Sequence, residues 1–362
     1  MNEKVAGGSN GNLIGTSGHP GLLHLDLAVQ AATADAAQEI REAQSIVMAC
    51  HVNPDGDALG SMLGLAIALR NAGKDVTCVS SDGVPDIYMF LPGQSTILTT
   101  PPDRTWDLGI VLDSGDLDRI GGAISLVDRS SRLLNIDHHA TAKGFGHTQL
   151  VNATAASTAE IVYGLIGVLD LPMTEDIATC LYTGITTDTG SFRFQNVTTS
   201  TFAIAAALRE SGAPTAMISE TVFDNRSLAA THLLGSALAS IETASDGRIV
   251  WTHVTHAEFT RLGATDEDTE GFVNYARNVR GAEVGLLFRE LADGRARVSL
   301  RGRQSVDVGA IAKTFGGGGH RMAAGCTMPP PLADAIRTVV AAAEQELQRS
   351  AIATATPQQT SL

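Results

Sequence analysis

The sequence predicts an α/β protein in two parts: an N-terminal domain built on a parallel sheet and a smaller C-terminal α/β domain, joined by a helical connector. Three observations predict it. Short apolar runs alternate with segments of helical period through the first half of the chain. Consecutive helical segments take over near residue 199. Strand-like runs punctuated by Asp-Gly turns then fill the region after residue 243.

Taken in order, residues 1–22 are Gly-, Ser- and Asn-rich and lack the basic start and apolar run of a secretory signal. They are read as a disordered tail. Residues 45–51 (SIVMACH) form a buried strand, and residues 58–71 a helix stopped by Gly73. Residues 75–80, 108–113 and 133–137 are further strands; residues 155–168 and 175–187 are helices. Such alternation implies a mostly parallel sheet covered on both faces, assigned to residues 23–214. Helices at 199–211, 216–223 and 228–239 follow, and residues 215–242 are read as the connector. Runs at 248–254, 282–290 and 295–301, with turns at Asp246-Gly247 and Asp293-Gly294, build the second domain over 243–347. Residues 348–362 are read as a second disordered tail.

Composition narrows the function. A chain of 362 residues with 44% apolar content can fill two cores. A net charge of −14 leaves no broad basic face, which argues against long duplex nucleic acid as a partner. Any nucleic-acid substrate should be short, held by metal ions and a few Arg, Lys or His side chains. Cys50, Cys78, Cys180 and Cys326 show no CxxC spacing, so they read as core thiols of a cytoplasmic protein rather than zinc ligands or disulfides. No apolar stretch of about 18 residues appears, so no membrane partner is expected. A homodimer joined through the first domain is compatible with the sequence.

Five motifs carry chemistry. HVNPDGDALGS places His51, Asp55 and Asp57 where a strand gives way to a helix. Ligand sites of open parallel sheets lie just outside the carboxyl ends of strands. One imidazole and two carboxylates there suit manganese or a similar divalent ion, although Asp57 would equally serve as a helix cap. In VLDSGD, Asp113 closes an apolar strand, where it could bridge two cations or make local turn bonds. Asp116 and Asp118 read as solvated carboxylates. In NIDHHAT, Asp137, His138 and His139 again follow a strand end, offering a ligand, a contact to an anionic substrate and a supporting carboxylate. In TGITTDTGSFRF, Asp188 ends a helix against the dipole, which favours metal ligation over a structural role. Together they supply enough hard donors for two ions sharing one bridging group, an arrangement suited to attack at phosphorus. In FGGGGHRMAAG, the run Gly316, Gly317, Gly318 and Gly319 lets backbone N–H groups approach a phosphate, with His320 and Arg321 beside it. Read alone, it is also a flexible Gly loop. Arg301 adds a second phosphate contact; a solvated surface role is the default for any single Arg.

These motifs, in this order, resemble the DHH phosphoesterases, whose signature stands here as Asp137-His138-His139. The GGGGH segment resembles that of the DHH-associated C-terminal domain. Pairing, spacing and length are similar to the bacterial oligoribonuclease (nanoRNase) and 3′-phosphoadenosine 5′-phosphate phosphatase branch, over residues 40–347. The resemblance implies one manganese held by His51, Asp55 and Asp113, and a second by Asp57, Asp113, His138 and Asp188. It implies that His139 faces the scissile phosphate, that Asp137 supports the motif, and that Arg301, the glycine segment, His320 and Arg321 grip the substrate. The implied activity is hydrolysis of short RNA oligonucleotides and of 3′-phosphoadenosine 5′-phosphate by in-line attack of activated water. Cleavage of cyclic dinucleotides such as c-di-AMP, or of linear dinucleotides, is the alternative. A processive exonuclease would need more aromatic surface than 4% Phe, Trp and Tyr provide. A pyrophosphatase would need a compact Lys/Arg clamp. A non-catalytic nucleotide sensor would not need intact ligands at all seven metal positions, Asp113 counted once for each ion. Gly302 and Met322 stand where relatives often carry small polar residues, which bears on base or sugar preference but not on the metal site.

Overall fold

The computed structural model describes residues 26–355, except 141, 304 and 305. The chain divides between Asn225 and Arg226 into two compact units.

The first unit runs α1 (Leu27–Glu42), β1 (Ser45–Ala49), α2 (Gly56–Asn71), β2 (Asp75–Val79), β3 (Ile97–Leu98), β4 (Trp106–Leu112), α3 (Ser125–Arg129), β5 (Ser130–Asp137), β6 (Thr148–Val151), α4 (Thr158–Val168), α5 (Glu175–Asp188), α6 (Thr199–Glu210) and α7 (Thr215–Phe223). Its six strands are all parallel, in the order β3-β2-β1-β4-β5-β6. The two-residue period of β1 is visible in its packing. Ile46, Met48 and Cys50 join the core under α1, α2, α4 and α5, whereas Val47 and Ala49 join the opposite core with Ile120, Ala123 and Leu126. Both faces are therefore covered, as the apolar runs require. From β1 the chain winds outward to β2 and β3, then returns to β4 on the other side. This reversal leaves a crevice at the carboxyl ends of β1 and β4, the place where such sheets bind ligands.

The second unit runs α8 (Leu228–Ala239), β7 (Glu242–Ala244), β8 (Ile249–Val254), α9 (His256–Leu262), α10 (Phe272–Asn278), β9 (Val284–Glu290), β10 (Ala296–Gly302), α11 (Val308–Lys313), β11 (Gly318–His320), β12 (Ala323–Met328) and α12 (Leu332–Ala355). Its sheet, β11-β12-β10-β9-β8-β7, is mixed: β8 and β9 are parallel, the other pairs antiparallel.

Several elements differ from the sequence reading. The helices read as one connector fall on both sides of the division, α7 in the first unit and α8 in the second. Helix α1, strand β3 and strand β6 were not anticipated; β3 has only two residues, too few to show a period. The glycine segment is partly a strand, because Gly318 to His320 pair with β12. Helix α12 reaches Ala355, so residues 348–355, read as tail, are helical. Gln348, Arg349 and three Ala residues, strong helix formers, carry it onward. The tail readings for 1–22 and 356–362 lie outside the described residues. All four cysteines are free and buried.

Candidate functional site

The crevice gathers side chains from four segments of the first unit. His51 lies two residues past β1. Its Nδ1 is 2.8 Å from the Val52 carbonyl oxygen, which can only accept, so Nδ1 carries the proton. In the neutral ring Nε2 is then a lone pair. It lies 3.4 Å from Asp113 Oδ2 and 3.9 Å from Asp55 Oδ1. Asp55 caps α2: its Oδ1 accepts the N–H groups of Asp57 and Ala58, each at 3.0 Å. The cap is thus Asp55, not the Asp57 that the sequence allowed.

Asp57 is fully buried. Its two oxygens accept N–H groups from the first residues of α4, Thr158 at 2.6 Å and Ala159 at 2.9 Å. Asp113 follows β4 with φ +56°, a left-handed conformation that is costly for a non-glycine residue and typical of functional sites. Its Oδ1 accepts the Thr158 hydroxyl at 2.9 Å and lies 3.7 Å from both His138 Nε2 and His139 Nδ1. Asp137, the last residue of β5, is also fully buried. Its Oδ1 accepts the His138 N–H at 2.9 Å and lies 2.6 Å from His139 Nδ1. Asp188, the last residue of α5, places Oδ2 3.4 Å from His138 Nε2. Three groups result whose ligand atoms lie within 4.8 Å of one another: His51, Asp55 and Asp113; Asp57, His138 and Asp188; and Asp113, His138 and His139.

Residues 45–185 match the DHH family, N-terminal domain, and residues 252–349 the DHHA1 domain. The bifunctional oligoribonuclease and PAP phosphatase NrnA of Thermus thermophilus is 36% identical over 310 residues, covering 84% of this chain and 91% of that protein. The chain belongs to the DHH phosphoesterase family. A protein of the same printed name from Bacillus subtilis is 26% identical, covering 78% of this chain and 89% of its own. Among solved structures, an exopolyphosphatase-related protein from Bacteroides fragilis is similar at a TM-score of 0.83 and 27% identity, covering 89% of this chain and 98% of that one.

The electrostatics of this DHH centre follow from burial and crowding. Burial and the charges of Asp113, Asp188 and Asp55 push the Asp57 carboxyl well up. Burial, Asp113 and Asp55 push Asp188 up to about 8. Burial also works against the charge of Asp113, but once His51 is protonated on both nitrogens its Nε2–H donates to Asp113, and that bond with the charges of His138, His51 and His139 as imidazoliums holds Asp113 below the ordinary value. The hydrogen bond to Asp137 raises the His139 imidazole in spite of its burial. Among the described residues, no Lys or Arg forms an ion pair with Asp55, Asp57, Asp113 or Asp188. Crowded carboxylates compensated only by imidazoles form a donor set that fits divalent cations.

Two features that build this centre in the DHH chain were missed in the sequence. Gly56, Gly60 and Gly64 recur every four residues on one face of α2. A Cβ on Gly60 would lie 2.3 Å from the Cys180 carbonyl oxygen, and one on Gly184 would lie 2.8 Å from Asp57 Oδ1. Their absence lets α2 and α5 approach closely enough to bring Asp57 and Asp188 together. The spacing itself was the available signal. The second feature is the start of α4, where Ser157 caps the helix and Thr158 serves both Asp57 and Asp113. Ser157 followed three residues later by Glu160 is a helix-start signal.

The remaining candidates lie in the second unit. Arg301 on β10 is half-buried and donates to its neighbouring Leu300 carbonyl at 3.1 Å. Among the described residues no carboxylate lies at ion-pair distance from it. Arg301 and His320 both pair with Ala323, so their backbones share one rung of the sheet. The His320 side chain lies outside what is described. Gly317 and Gly319 are packing glycines, since a Cβ there would lie 2.2 Å from the Gly325 carbonyl oxygen and 2.5 Å from that of Ala323. Gly318 faces open space, and Gly316 takes φ +72°. The Arg321 carbonyl accepts the Val308 N–H at 2.9 Å.

Proposed function

We propose that this protein hydrolyses short oligoribonucleotides to mononucleotides and converts 3′-phosphoadenosine 5′-phosphate to AMP, using two manganese ions that share Asp113. One observation carries the reading. The Asp113 carboxylate is divided between two donor groups, with Oδ2 toward His51 and Oδ1 toward His138 and His139. His51, Asp55 and Asp113 would hold one cation; Asp57, Asp113, His138 and Asp188 would hold the other. When bound, such a pair lowers the pKa of water and offsets charge on a phosphoryl group undergoing in-line displacement.

The chain's own residues supply the rest. Asp137 fixes the proton of His139 on Nδ1, which leaves Nε2 free to accept or donate at the phosphate. Arg301, the Gly316–Gly319 segment, His320 and Arg321 would hold the substrate's other phosphate. A net charge of −14 suits short substrates held at a few points better than long strands. The names of the relatives support the same pair of substrates.

The test is hydrolysis by chelator-treated protein, with and without manganese, of a dinucleotide, a five-mer, a 24-mer, a cyclic dinucleotide and 3′-phosphoadenosine 5′-phosphate. Manganese-dependent turnover of the two short RNAs and the bisphosphate is expected. Turnover confined to the 24-mer or to the cyclic dinucleotide would contradict the substrate assignment.

A further inference from the structure

We infer that Asn196 is a positioning residue that sets the cation affinity of the centre by clamping its two walls together. The inference rests on the metal reading proposed above. Asn196 is in none of the motifs from which the site was read. Its Nδ2 donates to the carbonyl oxygens of Ala156, at 2.9 Å, and of Asp188, at 3.1 Å. Both partners are carbonyls and can only accept, so the amide nitrogen must face them.

The two carbonyls belong to opposite sides of the centre. Ala156 immediately precedes Ser157, the cap of α4. The next two residues, Thr158 and Ala159, hold both oxygens of Asp57, and the Thr158 hydroxyl holds Asp113. Asp188 closes α5 and presents its carboxylate to His138. One amide thus ties the helix entry that orients Asp57 and Asp113 to the helix end that carries Asp188. The two hydrogens of the amide nitrogen let it serve both carbonyls at once.

Two further observations separate this from an ordinary loop bond. The Asn196 Oδ1 is buried and has no hydrogen-bond partner among the described residues, so the amide is kept at a position where half of it goes unsatisfied. The chain reaches that position through three successive left-handed residues, Gly190 at φ +55°, Ser191 at +58° and Phe192 at +61°. Left-handed turns of non-glycine residues persist only where the surroundings enforce them. Here the turn folds the chain back so that residue 196 meets residue 188.

Groups that orient metal ligands typically change affinity by about 10–100-fold when removed. The experiment is calorimetric titration of manganese into chelator-treated wild type, Asn196→Leu, Asn196→Gln and Asn196→Ser, with thermal unfolding in chelator alongside. Asn196→Leu keeps the volume and loses both donors, so its Kd should rise about 10–100-fold. Asn196→Gln keeps both donors and should recover most of that loss. Asn196→Ser keeps one donor and should fall between, which provides the comparison if the leucine variant does not fold. A role confined to loop stability would lower the unfolding temperature in chelator and leave Kd unchanged, and that result would overturn the inference. So would equal impairment of the Leu and Gln variants. A wild type that binds no manganese would overturn the metal reading itself, and this inference with it.

Discussion

The two units use glycine and charge in opposite proportions. In the first, glycines bring two helices together so that four carboxylates and three imidazoles converge in one crevice, Asp57 and Asp113 buried and Asp55 at its exposed edge, with no Lys or Arg ion pair among the described residues. In the second, glycines let one strand lie on another, and the candidate binding rung carries the half-buried Arg301 guanidinium, with no carboxylate at ion-pair distance among the described residues. Chemistry at phosphorus needs concentrated hard ligands; holding a phosphate needs one well-placed cation and open backbone. Substitutions in the first unit should therefore alter turnover and cation binding, and those in the second should alter substrate affinity.

The largest effect is expected at His139. His139→Ala should lower kcat on a dinucleotide by about 10²–10⁴-fold while the calorimetric manganese stoichiometry is retained. Loss of both together would make His139 a ligand and blur the contrast between chemistry and cation holding. Next, Arg301→Ala should raise KM about 10–100-fold with kcat little changed, as expected for one charged hydrogen bond to a substrate. A fall in kcat with unchanged KM would place Arg301 in the chemical step.

A glycine pair sharpens the comparison further. Gly60→Ala puts a Cβ against backbone and should cost about 1–3 kcal/mol of stability by denaturant titration, with weaker manganese binding. Gly235→Ala in α8 meets nothing within 4 Å and should stabilise by about 0.5–1 kcal/mol. Equal effects would mean that α2 and α5 do not need their close approach.

The smallest expected effect is in pH. Asp57 and Asp188 have folded pKa values above the ordinary 3.8, with Asp188 at about 8, and the imidazoles of His51 and His139 are raised as well. The folded state therefore binds more protons than the unfolded chain between these limits. Stability in chelator should fall as pH rises from about 4 to about 8. Saturating manganese, which binds the deprotonated ligands, should flatten or reverse that slope. A chelator slope of the opposite sign, measured by unfolding temperature across the window, would contradict the crowding of these carboxylates.

Much of the centre was legible because its ligands sit at ends of elements. His51, Asp113 and Asp137 follow short apolar runs whose burial reads directly from composition, and Asp188 closes a periodic helix. Position at the carboxyl edge of the sheet then does the assembling. Less legible were features that depend on the far side of a contact. Gly60 is an ordinary helix glycine until Cys180 is known to lie against it. Asp57 reads as the cap of α2 until the backbone of α4 claims it and Asp55 takes the cap. Asn196 has no local pattern, because its partners are carbonyls eight and forty residues away in the chain. The second unit was least legible: the four glycines suggested a loop, and strand pairing with β12 was decided by residues that follow them.

The most direct test is manganese stoichiometry in wild type and Asp113→Ala, by metal analysis after equilibrium dialysis, alongside dinucleotide hydrolysis. A shared Asp113 requires two ions per wild-type chain, fewer than one in the variant, and loss of hydrolysis. A variant that keeps both ions, or that loses one and still turns over substrate, would show that Asp113 does not join the two donor groups.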